Sequence, residues 1–232
     1  MCDDVSLSIN YHLTVCSNML EGTEKNKGRR EVPILPVAIP WLMPTYDNRI
    51  HSEILLQYDH MIKQNIYLFP VISQASNIPR GRNGLMTYVL KTWIASSKRD
   101  GYIFLLWQDT DIFIQPKDYP HFIDMLRYAY GKENNTIVAC YYKQSDGNLS
   151  IRKHRHTLDE NEYLEISSKE DYIYMGQKGI TGFGLTAGWF PINYKFHADT
   201  LGEDTNFYLD TNPDLYIVNS FHPVHAKIVN MW

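Results

Sequence analysis

The feature that most restricts this chain is an apolar run that ends on two acids. Tyr102-Ile103-Phe104-Leu105-Leu106-Trp107 carries no charge, and Gln108-Asp109-Thr110-Asp111 follows at once. Successive side chains of a strand point to opposite faces, so a strand that is apolar throughout is covered on both. It belongs inside a sheet, with helices above and below. Residues i and i+2 of an extended chain point the same way, which would aim Asp109 and Asp111 at one place beyond the strand's carboxyl end. Open α/β sheets hold their ligands there. Two carboxylates side by side repel unless a cation lies between them, and a hard divalent ion carrying a diphosphate meets that need.

The flanking pattern agrees with a buried strand. Ile34 to Ile39 reads as a strand ended by Pro40 and Pro44. His51 to Gln64 has helical spacing (Ile54, Leu55, Tyr58, Met61, Ile62), and Ile66 to Ile72 reads as a second strand. Asn83 to Ser96 reads as a helix with Leu85, Met86, Val89, Leu90, Trp93 and Ile94 along one face. Phe122 to Tyr130 is a further helix and Thr136 to Tyr142 a fourth strand. From Lys143 to Met175 the chain is polar, with a basic cluster at Arg152, Lys153, His154, Arg155 and His156. Regular pattern returns at Ile180 to Pro191, Thr205 to Leu209 and Leu215 to Val218. The alternation predicts an α/β fold, a single Rossmann-like domain with a largely parallel central sheet flanked by helices. Residues 1–31 read as an N-terminal arm or strand extension, with Leu7, Ile9, Tyr11 and Leu13 alternating against polar neighbours.

Composition narrows the partners. A net charge of −4, from 22 basic and 26 acidic side chains, supplies no broad positive field for nucleic acid. Cys2, Cys16 and Cys140 lie far apart with no C-x-x-C pair, which fits a reducing compartment. The acidic opening Met1-Cys2-Asp3-Asp4 lacks the apolar core of a signal peptide, and the apolar runs are too short to span a bilayer. The expectation is a cytoplasmic chain without a transmembrane segment.

Four segments, in order, resemble the GT-A type of glycosyltransferase. They are Val37-Ala38-Ile39-Pro40, which looks like the strand opening the nucleotide half, and Ile78-Pro79-Arg80-Gly81-Arg82-Asn83, similar to an R-x-R-N stretch before the metal strand. The third is Leu105-Leu106-Trp107-Gln108-Asp109-Thr110-Asp111, the strand with its D-x-D. The last is Thr181-Gly182-Phe183-Gly184-Leu185 with Gly202-Glu203-Asp204-Thr205-Asn206-Phe207, similar to an acceptor segment and an E-D motif. The resemblance implies a GT-A domain over 32–232, with a nucleotide-binding half at 32–142 and an acceptor-binding half at 143–232. It implies a nucleotide-diphosphate sugar donor, with a UDP-sugar as the expected form, a glycan or glycoconjugate acceptor, and a divalent cofactor, Mn2+ or Mg2+. The loop Trp41 to Tyr46 and the second strand, which lacks an acid for a uracil, depart from the pattern and leave base and sugar open.

Carried over residue by residue, the resemblance assigns donor binding to Ile39, Pro40, Trp41, Arg80, Arg82, Asn83, Asp109, Thr110 and Asp111. Asp109, Asp111 and His225 are the expected metal ligands, with His222 as the alternative to His225. Asp204 is the expected base, assisted by Glu203. A retaining enzyme would use that pair differently; as a plain structural feature Asp204 would cap a helix. Gly182, Phe183, Gly184 and Trp189 are assigned to the acceptor, with Tyr194 and Trp41 as further aromatic platforms. Two other functions share parts of this pattern. A sugar-phosphate nucleotidyltransferase would begin with a Gly-rich loop, whereas Pro40 to Thr45 contains no glycine. A non-catalytic carbohydrate-binding module on the same core would lack the Asp pair or Asp204, and all three are present.

Overall fold

The apolar run forms strand β4 (Tyr102–Gln108), and every neighbour of the candidate site is arranged around it. The computed structural model describes residues 34–36, 38–45, 50–74, 77–92, 98–142, 149–152, 169–177, 179–198 and 202–226. They lie in the unit that runs from Pro33 to Trp232. The expected arm at 1–31 and the basic residues Lys153 to His156 lie outside the described residues.

In chain order the elements are β1 (Ile39–Thr45), α1 (Ser52–Lys63), β2 (Leu68–Gln74), α2 (Ile78–Thr92), β3 (Lys98–Arg99), β4, β5 (Ile112–Phe113), α3 (Tyr119–Tyr130) and β6 (Thr136–Cys140). There follow β7 (Ile151–Arg152), β8 (Tyr172–Gly176), β9 (Ile180–Thr181), β10 (Leu185–Pro191), α4 (Glu203–Thr211), β11 (Asp214–Val218) and β12 (Val224–His225). The main sheet has the order β2-β1-β4-β10-β6-β11-β8, with β3 hairpinned onto the start of β4. Alternate residues of β4 feed two cores. Phe104 and Leu106 join Met61, Phe122 and Leu126 on the α1 and α3 side. Ile103, Leu105 and Trp107 join Leu85, Val89, Phe207 and Tyr208 on the α2 and α4 side. The sheet is therefore sandwiched between helices, as its double-sided hydrophobicity requires. Among the described residues no helix is long and apolar enough to cross a membrane.

The sheet is mixed rather than largely parallel. β1 is parallel to β2 and β4, and β6 to β11, but β10 runs antiparallel between β4 and β6, and β8 antiparallel to β11. Hydrophobic pattern carries no direction. β10 starts beside Gln108, at the carboxyl end of β4, and the only way to continue in the sheet from there is back down it.

Two boundaries also move. β1 runs through Pro40 and on to Thr45. Ile39 N–H donates to Tyr67 O, which points the odd-numbered residues of β1 at β2. Pro40 and Pro44 then face β4, where only Trp41 and Leu42 are in register, so their missing N–H groups leave the ladder intact. α2 begins at Ile78, five residues before the expected Asn83. Asn77 caps it through its side-chain oxygen, which accepts from Arg80 N–H at 3.1 Å, and Pro79 is tolerated in a first turn.

Candidate functional site

Beyond β4 the chain does not stay extended. It turns, and Ile112 N–H donates to Asp109 O at 3.0 Å. Four separate segments fasten this turn through its backbone or its base. Asp109 N–H donates to Gly184 O (2.9 Å), Thr110 O accepts from His51 N–H (3.1 Å), and Asp111 O accepts from Ala226 N–H (2.7 Å). Below it the buried Gln108 amide accepts from Trp41 and Gln57, at 3.1 Å each, and donates to Ile112 O at 2.7 Å. The turn corrects the expectation that Asp109 and Asp111 share one direction. Asp111 Oδ2 lies 3.0 Å from His225 Nε2, brought there by the pairing of β12 with β5. Asp109 Oδ1 faces the guanidinium of Arg82 instead, at 3.9 Å.

Arg82 is the hub of the other half. It lies on the buried stripe of α2 with Leu85, Met86 and Val89, and only 2 % of its side chain is exposed. Its guanidinium covers the Phe183 ring at 4.6 Å and approaches Asp204 Oδ1 at 2.9 Å and Glu203 Oε1 at 3.6 Å. The Asp204 contact is an ion pair that lacks hydrogen-bond alignment. Gly202, at φ +83° and ψ 160°, a conformation reserved for glycine, starts α4 so that Glu203 and Asp204 occupy its first turn. Asp204 is not the cap of its own helix. Its Oδ2 accepts from Phe183 N–H, across the site, at 3.4 Å.

Burial sets the electrostatics. It pushes the Asp204 carboxyl up to about 7, against the pull of Arg82 and with added repulsion from Glu203 and Asp109. Asp109 is raised too, by burial first, with Arg82 opposing and Asp111 adding to the rise. Burial works against the charge on Arg82, but Asp204, Asp109 and Glu203 together outweigh it and hold the proton more firmly.

Tyr142, which the motif reading did not single out, also belongs to the site. β6 stops at Cys140 rather than Tyr142, and the two extra residues carry Tyr142 to the carboxyl end of the sheet. Burial, then Asp109, Asp204 and Asp111, raise its phenol, so it stays protonated. Its ring explains Gly184, where an added Cβ would sit 2.3 Å from Tyr142 Cε1. The glycine makes room for an aromatic ring of this chain. The signal for Tyr142 in the sequence was its place just past a buried strand, the same signal that marked Asp109.

The structure thus brings together Arg82, Asp109, Thr110, Asp111, Gly182, Gly184, Glu203, Asp204 and His225. It does not bring in the others. Ile39, Pro40 and Trp41 are buried inside β1, because the strand runs on to Thr45; the residues after it, 46–49, lie outside the described residues. Arg80 is exposed on α2, and Asn83 spends both ends of its amide on the backbone of Phe196. Phe183 is 1 % exposed and packs under Arg82. Trp189 lies at the far end of β10, opposite Phe104, with its indole N–H on Tyr130 O and Arg99 over its ring. Tyr194 is engaged with Asp210, and His222 Nε2 lies 3.2 Å from the Tyr141 hydroxyl, away from the acid turn.

Among the described residues no three His, Cys, Asp or Glu side chains converge tightly enough to form a ready metal cluster. Asp111 and His225 do offer an oxygen and a nitrogen, and the site as a whole sets four carboxylates (Asp109, Asp111, Glu203, Asp204) against one guanidinium. That donor chemistry and that surplus of negative charge fit a hard divalent cation. No family model matches the chain, and no curated protein matches it in sequence.

Proposed function

We propose that the chain is a GT-A type glycosyltransferase that moves a hexosyl or deoxyhexosyl group from a UDP-sugar to a hydroxyl of a glycan or other acceptor, with inversion. The observation that carries this reading is the convergence of two acid groups, from segments far apart in sequence, beyond the carboxyl end of the central strand. One group pairs with a histidine and the other with a buried arginine. Asp111 and His225 would hold Mn2+ or Mg2+, with Asp109 on the adjoining turn; when bound, the ion supplies positive charge that stabilises the leaving diphosphate.

Asp204 is the base of this reading. Its carboxylate takes the proton of the acceptor hydroxyl, the freed oxygen pair bonds to the anomeric carbon, and the bond from that carbon to the diphosphate breaks. A base that gains its charge near pH 7 is well placed to accept a proton in neutral solution. Glu203 and Arg82 keep it oriented.

The reading is tested by thermal shift. UDP should stabilise the protein more with manganese than with chelator, and equal shifts would count against it. Asp204→Asn should leave that binding near the parent value and lower transfer by roughly a hundredfold or more. His225→Ala should weaken the manganese-dependent shift itself. The same effect of both substitutions on nucleotide affinity would undo the division into a metal side and an acceptor side.

A further inference from the structure

Between the Asp111–His225 pair and the Arg82–Asp204 cluster stands Tyr142. Its main chain is clamped by Ser150, whose Oγ accepts from Tyr142 N–H at 3.0 Å and whose N–H donates to Tyr142 O at 2.9 Å. Its ring lies beside Gly184, and its ring centroid is 5.4 Å from that of His225. The hydroxyl is 3.2 Å from the position a Cβ would take on Gly182, and Asp204 Oδ2 is 3.4 Å from the same position. Phenol and carboxylate therefore flank one glycine. The phenol makes no hydrogen bond to any described residue. An anchored ring with an unused donor beside a carboxylate is an arrangement for meeting a ligand.

We propose that Tyr142 contacts the acceptor: its phenol donates a hydrogen bond to the oxygen of the very hydroxyl whose proton Asp204 accepts. The inference rests on the transferase reading above and deepens it. The acceptor oxygen keeps one lone pair on the phenol proton and uses another to form the new bond, while its own proton goes to Asp204; the phenol keeps its proton throughout. The same arrangement defines the acceptor group. Asp109, Glu203 and Asp204 repel a carboxylate or a phosphate, whereas a neutral hydroxyl can donate to Asp204 and accept from Tyr142. Gly182 and Gly184 hold open the place where the two meet, and a side chain at either would press on Tyr142.

The test compares the full-length parent with Tyr142→Phe, which keeps the ring and removes the donor, and Gly184→Ala, which keeps the donor and displaces the ring. Two measurements are made on each: the manganese-dependent thermal shift with UDP, and release of UDP from UDP-glucose, UDP-galactose and their two N-acetylamino counterparts, with water as acceptor. The expected result is an unchanged shift in both variants. UDP release from the best of the four donors should fall roughly tenfold or more, in kcat and not in donor KM. Release within twofold of the parent in Tyr142→Phe overturns the proposal. So does loss of its manganese-dependent shift, which would assign Tyr142 to the metal side. A parent protein that shows no manganese-dependent shift, or turns over none of the four donors, overturns the transferase reading itself and this role with it.

Discussion

The two halves of the site are held in different ways. The turn from Asp109 to Asp111 is fixed by its backbone: every carbonyl in it accepts an N–H, from Ile112, His51 or Ala226, and its first N–H goes to Gly184. The acids Glu203 and Asp204 are held mainly by charge: a single buried guanidinium answers both and Asp109 as well, beside one long main-chain bond from Phe183 N–H to Asp204. A backbone-held group keeps its place when its own side chain changes. A charge-held group depends on one side chain elsewhere. The first arrangement allows the side chains to be spent on a ligand, while the second ties the position of the acids to the integrity of α2.

The sharpest way to break this contrast is Arg82→Met. It leaves three partly exposed carboxylates with no counter-charge, and the expected loss is about 2–3 kcal/mol in urea unfolding, below the cost of stranding a fully buried charge. A loss below about 1 kcal/mol would mean that charge does not hold the second half. Arg82→Lys keeps the charge but loses the planar fork over Phe183, and should fall between the two.

Asp204→Asn sharpens the contrast through pH. The folded carboxyl titrates at about 7, above an unfolded value of about 3.9. Between those values the folded protein binds more protons than the unfolded one, so this group lowers stability as pH rises through the window. The variant should therefore match the parent below about pH 4 and exceed it by on the order of 1–2 kcal/mol above pH 7. A constant difference across the range would show that Asp204 does not titrate in that window.

The smallest effects on stability are expected in the backbone-held half. Asp111→Ala and His225→Ala remove side chains while the main-chain bonds of the turn remain, so each should change stability by less than about 1 kcal/mol. Urea unfolding of either variant with a loss comparable to that of Arg82→Met would erase the contrast between the halves.

The same contrast governs what could be read from the sequence. β4, α1 and the acids at the strand end were legible because burial on both faces and helical spacing are local signals. The resemblance names His225 with Asp111 as metal ligands, and the structure sets their side chains 3.0 Å apart. Arg82 was misread as a residue preceding a helix, although it falls one turn before Leu85 and Met86 on their own stripe; Pro79 and Gly81 masked a helix that Asn77 had already begun. The direction of β10 was not legible, since a strand apolar on both faces reads alike in either direction. Tyr142 was absorbed into a strand because nothing in Ala139-Cys140-Tyr141-Tyr142 marks where pairing stops.

The short pairing of β12 with β5 has a consequence in time. Asp111 and His225 are 114 residues apart, and closing a loop of that length costs roughly 4 kcal/mol of chain entropy before any contact is gained. At ordinary rates of translation, on the order of ten seconds separate the synthesis of the two residues. During that interval Gly184 and Ala226, two of the main-chain partners that fasten the acid turn, and the imidazole that faces it are still to be made. The metal-side pair is therefore complete only once β12, the latest element in sequence among the described residues, has joined β5.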